Sequence, residues 1–283
     1  MRLLLLTLLL SVLPVTTHAA IVRQDMRPGI PATAEYLIGE RSKPAVLLLH
    51  GFLQTREFAT VATLSRSLQD AGYTVLLPTL SLNIPNRSQS LACEAVHKHS
   101  LDDDLAEIDR WVSWLKMHGQ RNIVLVGHSF GSLQLLMYLN SHPDPAIKGY
   151  IGASLIEAQV PVPRADLISG LEAAIAAGQH RLVTGSLSFC RHYASTPEGL
   201  LSYVRIDQPR LLAALKQAPV RTLLIMGDGD TIIGRGWLKA LQHIRTPMVI
   251  VRGASHFMDG EHEFDLQDNV LAFLATLSQA PAR

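Results

Sequence analysis

The segment from Val124 to Leu133 constrains the fold of this chain more than any other. The apolar run Val124-Leu125-Val126 ends abruptly in Gly127-His128-Ser129-Phe130-Gly131, and an apolar helical pattern follows at once. A serine at the centre of G-x-S-x-G, between a strand and a helix, is typical of a nucleophile held on a strained turn. Gly127 and Gly131 fit such a turn, because a Cβ at either position would collide with the adjoining strand or helix. A plainer interpretation is also open, in which Gly127 begins an ordinary βα turn and Ser129 caps the helix.

The first 19 residues have the pattern of a secretory signal peptide. Arg2 supplies a positive charge, residues 3–15 are almost entirely apolar, and Thr17-His18-Ala19 offers a cleavage site between small residues. We therefore expect cleavage after Ala19 and export to a periplasm or beyond, with residues 20–283 forming a single domain. An uncleaved N-terminal anchor is the alternative, although the apolar stretch is shorter than the roughly 20 residues that a membrane-spanning helix needs.

The net charge limits the classes of partner that we expect, and the cysteine content bears on the redox state of the compartment. The formal net charge is +1, whereas a nucleic-acid-binding surface needs a strong basic excess, so we expect no nucleic-acid partner. No basic run indicates an anionic membrane surface, and nothing implies a stable protein partner. The chain has two cysteines, Cys93 and Cys190. In an oxidising compartment this even count indicates one disulfide, and two buried free thiols are the alternative.

Apolar runs of strand length alternate with helical patterns along most of the chain. Such alternation predicts βαβ units and a mostly parallel, doubly wound sheet of the α/β class, after a lead-in of edge strands at 21–39. The alternation fails from about 155 to 219, where helical patterns at 165–177 and 209–217 have no clear strand between them. We expect a helical cap there, inserted at the carboxyl edge of the sheet. The cap's apolar side chains available to select substrate are Leu167, Ile168, Leu171, Ile175, Leu182, Leu187 and Phe189.

Two loops after the cap carry residues that can activate a serine. A serine hydroxyl is a poor nucleophile at neutral pH, so it needs a general base and a group that orients the base. The predicted strand at 222–226 is followed by Gly227-Asp228-Gly229-Asp230, and the strand at 248–251 by Gly253-Ala254-Ser255-His256. In a doubly wound sheet, loops at the carboxyl ends of strands meet along one edge. The acid and the histidine are therefore expected beside the serine.

Four motifs in this order resemble the α/β-hydrolase fold superfamily, especially its serine esterase and lipase-like members. They are His50-Gly51-Phe52, the Ser129 turn, Gly227-x-x-Asp230 and Gly253-x-x-His256, and the resemblance runs from about Pro44 to Leu277. It implies that Ser129 is the nucleophile, His256 the base and Asp230 the acid. It also implies an oxyanion hole formed by the backbone N–H groups of Phe52 and Phe130, with Gly51 allowing close approach.

Other residues compete for these roles. Asp228 lies two residues before Asp230, and Glu157 follows the strand before the cap, where some relatives carry the acid. The remaining histidines, including His50 and His128, are interpreted as structural or exposed. A group of metal-ligating residue types has irregular spacing that fits neither a structural zinc site nor HExxH, so we expect no metal: Cys93, Glu94, His97 and His99.

Together with the predicted signal peptide, the resemblance implies an exported serine hydrolase that cleaves small-molecule or lipid-like carboxylic esters through an acyl-enzyme on Ser129. This chemistry requires no metal or organic cofactor. A thioesterase or amidase with the same triad is the nearest alternative. A catalytically silent binding protein on the same scaffold is the alternative from another class.

Overall fold

The computed structural model describes residues 19–233 and 235–278, so positions 1–18 of the predicted signal peptide lie outside the described residues. Within the described ranges, no helix combines the length and the apolar character needed to cross a bilayer. The elements in chain order are β1 (Ala19–Arg27), β2 (Ile30–Leu37), β3 (Ala45–Leu49), α1 (Ala59–Asp70), β4 (Thr74–Thr79), β5 (Val96–His97), α2 (Leu101–Met117), β6 (Ile123–His128), α3 (Phe130–Ser141), β7 (Ile147–Ala153), α4 (Arg164–Ala176), β8 (Val183–Leu187), β9 (Cys190–Ser195), α5 (Pro197–Val204), α6 (Gln208–Gln217), β10 (Arg221–Gly227), α7 (Arg235–Gln242), β11 (Met248–Val251) and α8 (His262–Ser278).

The main sheet of the described chain has eight strands in the order β1-β2-β4-β3-β6-β7-β10-β11. The six strands from β4 to β11 run parallel, and β2 is antiparallel to both β1 and β4. Every residue of β3, β4 and β6 is buried, because helices cover both faces. Successive residues of β3 enter separate apolar cores: Val46 and Leu48 pack on one face, and Leu47 and Leu49 on the other. The predicted mostly parallel, doubly wound sheet is confirmed, and the lead-in forms two strands, of which β1 is an edge strand and β2 pairs on both sides.

Helix α2 begins directly after the capping residue Ser100. Ser100 accepts a hydrogen bond from the backbone N–H of Asp103, and the carboxylate of Asp103 accepts one from the backbone N–H of Ser100. Three aspartates lie in the first turn, where the positive end of the helix dipole stabilises negative charge. This start fixes the end of the long β4–α2 loop.

The insertion between β7 and β10 is not purely helical. Helices α4, α5 and α6 are present, but β8 and β9 form an antiparallel hairpin, and β9 also pairs with β5. The prediction of a cap without strands was therefore wrong. Both strands are short and only partly buried, so no continuous apolar run marks them. Ser188, with φ 54°, stands at the turn in place of the glycine signal that usually identifies a hairpin.

A disulfide joins the two cysteines of the chain. It links Cys93, in the loop before β5, to Cys190, the first residue of β9. Because β5 and β9 also pair through Val96 and Ala194, the hairpin is tied to the β4–α2 loop both covalently and by backbone hydrogen bonds. The cap is thereby attached to the β4–α2 loop.

Candidate active site

Ser129 lies on a strained turn between β6 and α3. Its backbone has φ 57° and ψ −122°, and its side chain makes no capping hydrogen bond. A positive φ is uncommon for a residue with a Cβ and is concentrated at functional sites. A Cβ added to Gly127 would lie 2.6 Å from the backbone nitrogen of Ser132, and one on Gly131 would lie 2.4 Å from the carbonyl oxygen of His50. Both glycines are therefore required by close approach, and the plainer reading of Ser129 as a helix cap does not fit the geometry.

The loops after β10 and β11 bring an acid and a histidine to this serine. Ser129 Oγ lies 2.7 Å from His256 Nε2, and His256 Nδ1 lies 2.7 Å from Asp230 Oδ2. All three residues are buried, with exposures of 8, 4 and 8% for Ser129, His256 and Asp230. In this arrangement the hydroxyl donates to Nε2 while Nδ1–H donates to the carboxylate, which is the geometry of a serine–histidine–acid relay. The arrangement can activate the hydroxyl for attack on an acyl group.

The surroundings of Asp230 favour its charged form. Its second oxygen, Oδ1, accepts hydrogen bonds from the backbone N–H groups of Ile232 at 2.8 Å and Ile233 at 3.2 Å. Burial acts to raise the pKa of Asp230, but His256 and these two N–H groups together hold the pKa below its ordinary value of 3.8. The carboxylate is therefore ionised at neutral pH. It keeps the proton on Nδ1 of His256 and leaves Nε2 as the acceptor.

The two competing carboxylates have other partners. Asp228 Oδ1 accepts a hydrogen bond from the backbone N–H of Gly253 at 2.5 Å, which connects the acid loop to the histidine loop. Glu157 accepts from Arg164 at 3.0 Å and from Gln208 at 2.8 Å, within the cap. The geometry thus assigns Asp230 to His256, and Asp228 to the turn beside it.

The loop after β3 places its backbone against the nucleophile. A Cβ on Gly51 would lie 3.2 Å from the Cβ of Ser129, so the peptide carrying Phe52 is in close contact with the serine. Within the described residues no backbone acceptor takes the N–H of Phe52 or of Phe130, and Phe130 is the first residue of its helix, where N–H groups lack an intrahelical partner. The two aromatic rings pack with centroids 4.8 Å apart. Two N–H donors are thus available beside Ser129 for a developing oxyanion.

His50 fixes this loop rather than taking part in proton transfer. Its Nε2 accepts from the backbone N–H of Leu80 at 3.2 Å, and Nδ1 lies 2.9 Å from the carbonyl oxygen of Gly51. Because Nε2 is an acceptor, the ring proton belongs on Nδ1 and is donated to Gly51. Burial, with the positive charge of Arg87, lowers the pKa of His50 to about 3. The ring is therefore neutral, and it ties the oxyanion loop to the end of β4.

His128 has a similar structural task on the other side of the serine. Its Nε2 lies 2.9 Å from the carbonyl oxygen of His256, so it donates to the backbone of the histidine that contacts Ser129. Burial, with the charge of His256, lowers the pKa of His128 to about 4. The sequence interpretation of this residue as structural or exposed did not identify this contact, although its position next to the serine was the available signal.

Aromatic side chains of the cap reach the oxyanion residues. The rings of Phe189 and Tyr193 lie 5.5 and 5.8 Å from that of Phe52, and the ring of Tyr203 lies 5.6 Å from that of Phe130. Among the predicted lining residues, Leu171 and Leu187 are buried in the core, whereas Phe189 is 61% exposed at the hairpin turn. Phe189 therefore combines exposure to solvent with contact next to the serine.

Three of the four loop residues considered as metal ligands have other roles, and Glu94 is exposed. Cys93 is in the disulfide, the ring of His97 stacks on that of Tyr193 at 4.1 Å, and His99 Nδ1 lies 2.7 Å from the hydroxyl of Tyr203. Over the part of the chain that the structure describes, no three His, Cys, Asp or Glu side chains are grouped so that they can hold a metal ion.

Comparisons with known proteins identify the family of this chain. Residues 46–265 match the sequence model of a family described as the alpha/beta hydrolase family, and no curated protein matches the chain. Three similar solved structures are Est1E from Butyrivibrio proteoclasticus (18% identity, 91% of this chain and 98% of that one, TM-score 0.64), the alpha/beta hydrolase GrgF from Penicillium sp. sh18 (16%, 93% and 100%, 0.70) and a monoacylglycerol lipase from Paleococcus ferrophilus (18%, 87% and 99%, 0.62). At these identities the likeness shows the fold.

Proposed function

The chain belongs to the alpha/beta hydrolase family and is a hydrolase, and we propose that it cleaves carboxylic esters through an acyl-enzyme intermediate on Ser129. The observation that carries this proposal is the continuous relay from Asp230 through His256 to Ser129, with both donor–acceptor distances at 2.7 Å. A scaffold that only binds a ligand has no need for a buried serine at positive φ hydrogen-bonded to a histidine and an ionised carboxylate.

The reaction follows from the positions of these groups. Ser129 Oγ attacks the ester carbonyl carbon while His256 Nε2 takes the serine proton. The carbonyl oxygen becomes an oxyanion that accepts hydrogen bonds from the N–H groups of Phe52 and Phe130. The C–O bond to the alcohol then breaks, and His256 returns the proton to the leaving oxygen. Water, deprotonated by the same nitrogen, attacks the acyl-enzyme and releases the acid and free Ser129.

We propose an ester with an apolar acyl part as the substrate. The donors beside Ser129 are flanked by the rings of Phe52, Phe130 and Phe189, an apolar lining that suits the acyl part of a small-molecule or lipid-like ester. A monoacylglycerol lipase is also among the proteins of this fold. A screen of p-nitrophenyl esters of graded acyl length, with matched thioesters and anilides, separates an esterase from the thioesterase and amidase alternatives.

We also propose that the protein is exported. The pattern of residues 1–19 supports this, and the disulfide between Cys93 and Cys190 suits an oxidising compartment. Intact mass measurement of the protein from fractionated cells should find a chain beginning at Ala20 outside the cytoplasm. A full-length chain with free thiols in the cytoplasm would contradict export.

Labelling with a fluorophosphonate tests the nucleophile. The wild type should be labelled, and Ser129→Ala should not. Ser154→Ala is the matched control, since Ser154 is also buried, has φ 48° and directly follows a neighbouring strand, but its hydroxyl makes no hydrogen bond to His256 within the described residues. Labelling of Ser129→Ala, or absence of labelling in the folded wild type, would contradict the proposal.

A further inference from the structure

Arg87 is a buried cation whose three guanidinium nitrogens all donate to backbone carbonyls. It lies in the β4–α2 loop and is 4% exposed. Its Nε donates to Leu80 at 2.7 Å, Nη1 donates to Gln89 at 2.9 Å, and Nη2 donates to Gln54 at 2.7 Å. A longer contact of 3.4 Å joins Nη1 to the carbonyl of Leu53. One guanidinium thus connects the end of β4, the β4–α2 loop and the loop that follows β3.

The segment it holds is the turn that carries Phe52. The backbone N–H of Gln54 donates to the carbonyl of Gly51 at 3.2 Å, which closes a four-residue turn over 51–54. Leu53 has φ 58° at the third position of this turn, where glycine is the residue that adopts a positive φ without strain. A leucine keeps that conformation only if the surroundings impose it. Two of the four carbonyls that Arg87 binds are those of Leu53 and Gln54, immediately after Phe52.

We propose that Arg87 is a positioning residue for the oxyanion hole: by binding the carbonyls of Leu53 and Gln54, it holds the strained 51–54 turn so that the N–H of Phe52 points at the oxyanion. This inference rests on the proposed esterase function. Arg87 acts through the backbone and does not touch the reacting atoms.

The side chain has to be arginine for this task. A guanidinium presents five N–H donors in a planar fork and reaches carbonyls on three segments at once, whereas a lysine ammonium is a compact point charge on a flexible stem. Burial lowers the pKa of Arg87 to about 10, with the carboxylates of Asp104 and Glu107 opposing that shift. The side chain is therefore charged at neutral pH, and its hydrogen bonds are the stronger, charge-assisted kind.

The test compares Arg87→Lys and Arg87→Gln with Arg164→Lys. Arg164 is the matched control, because it also donates to two backbone carbonyls, of Val204 at 2.6 Å and Ala158 at 2.9 Å, but lies in the cap, away from the 51–54 turn. Each variant is first checked for folding by circular dichroism. Steady-state kinetics with a p-nitrophenyl ester then give kcat and KM, and a trifluoromethyl ketone, whose hemiketal oxygen occupies the oxyanion hole, gives an inhibition constant.

For the Arg87 variants we expect kcat to fall about 10- to 100-fold, less than the 10²–10³ that follows complete loss of one oxyanion donor. The ketone should bind more weakly by a similar factor while KM stays close to that of the wild type. Arg164→Lys should change neither quantity. Unchanged kcat in the folded Arg87 variants, equal losses in Arg164→Lys, or failure of both Arg87 variants to fold while Arg164→Lys folds would overturn the positioning role. A wild type without ester turnover or ketone binding would contradict the proposed function instead.

Discussion

The substitution Asp230→Asn tests how the relay controls the proton on His256. Asp230 Oδ1 accepts from the N–H groups of Ile232 and Ile233, and Oδ2 accepts from His256 Nδ1. In the asparagine variant, the amide oxygen has to remain on the side of the two backbone N–H groups. An NH₂ group on that side would place hydrogen-bond donors against donors. The NH₂ group then faces Nδ1 of His256 and makes it an acceptor.

The proton of His256 therefore moves to Nε2, where it blocks transfer from Ser129. In a serine triad this tautomer error reduces kcat by about 10⁴ without changing the geometry of the site, which corresponds to about 5.5 kcal/mol of transition-state stabilisation. The substitution also removes a carboxylate whose pKa is held below 3.8 in the folded protein. That carboxylate contributes stability above pH 3.8, and the contribution is lost as the pH falls through its folded-state pKa.

The assay is kcat/KM for a p-nitrophenyl ester at neutral pH, with folding checked by circular dichroism. Asp228→Asn is the matched control, since Asp228 is exposed and, among the residues that the structure describes, accepts only from the N–H of Gly253, a bond that an asparagine oxygen also makes. We expect it to stay within a few-fold of the wild type, as should Glu157→Gln. Near-normal activity of Asp230→Asn, with loss in either control, would show that the acid is misassigned.

Four further changes test the surroundings of the site. Gly131→Ala should abolish activity and lower the melting temperature, because the Cβ of the alanine would lie 2.4 Å from the carbonyl oxygen of His50. An ester hydrolysis assay and thermal melting measure the two effects. Replacing Cys93 and Cys190 together by serine should lower the free energy of unfolding in urea by at most about 4 to 5 kcal/mol, since the disulfide closes a loop of 97 residues. His50 has a pKa of about 3 in the folded protein against 6.5 normally, so its contribution to the free energy of unfolding is complete above pH 6.5 and is lost as the pH falls. His50→Gln lacks this titration. Its stability should therefore fall less steeply than that of the wild type between pH 6.5 and 4, by up to about 1.4 kcal/mol per pH unit. Phe189→Ala should change the ratio of kcat/KM between long and short acyl esters by about tenfold or more, with little change in melting temperature because the side chain is 61% exposed; an unchanged ratio would show that the pocket lies elsewhere.

The sheet and the serine turn were predictable because their signals are local. Continuous apolar runs mark strands that are buried on both faces, and Gly127 and Gly131 mark the positions where a Cβ does not fit. The order of Ser129, Asp230 and His256 placed these residues at strand ends that meet at one edge of the sheet. The start of α2 is also set locally, because Ser100 and Asp103 accept hydrogen bonds from each other's backbone N–H groups.

The cap was predicted less well because its hairpin depends on distant partners. Strand β9 is held by pairing with β5 and by a disulfide across 97 residues, and neither contact leaves a periodic pattern in the hairpin's own sequence. The turn at Ser188 also lacks the glycine that identifies most tight hairpins. Local propensity therefore indicated only the helices of the insertion.

The residues that position the site were missed for a different reason. Arg87 and His128 act by hydrogen bonds to backbone carbonyls, and a carbonyl is present at every residue, so no pairing pattern in the sequence identifies the partner. Arg87 stands in a polar loop, where a charged residue is normally interpreted as solvent-exposed. Only the folded positions of the 51–54 turn and the β4–α2 loop show that it is buried.

The most direct test of the account is to find the acyl group on Ser129 during turnover. Wild-type protein is mixed with an excess of a p-nitrophenyl ester, quenched in acid within the first turnovers, digested and analysed by mass spectrometry. The peptide containing Ser129 should gain the mass of the acyl group, fragmentation should place that mass on this serine, and Ser129→Ala should show neither acylation nor turnover. Ester hydrolysis that proceeds at the wild-type rate in Ser129→Ala, or acylation at another residue, would contradict it.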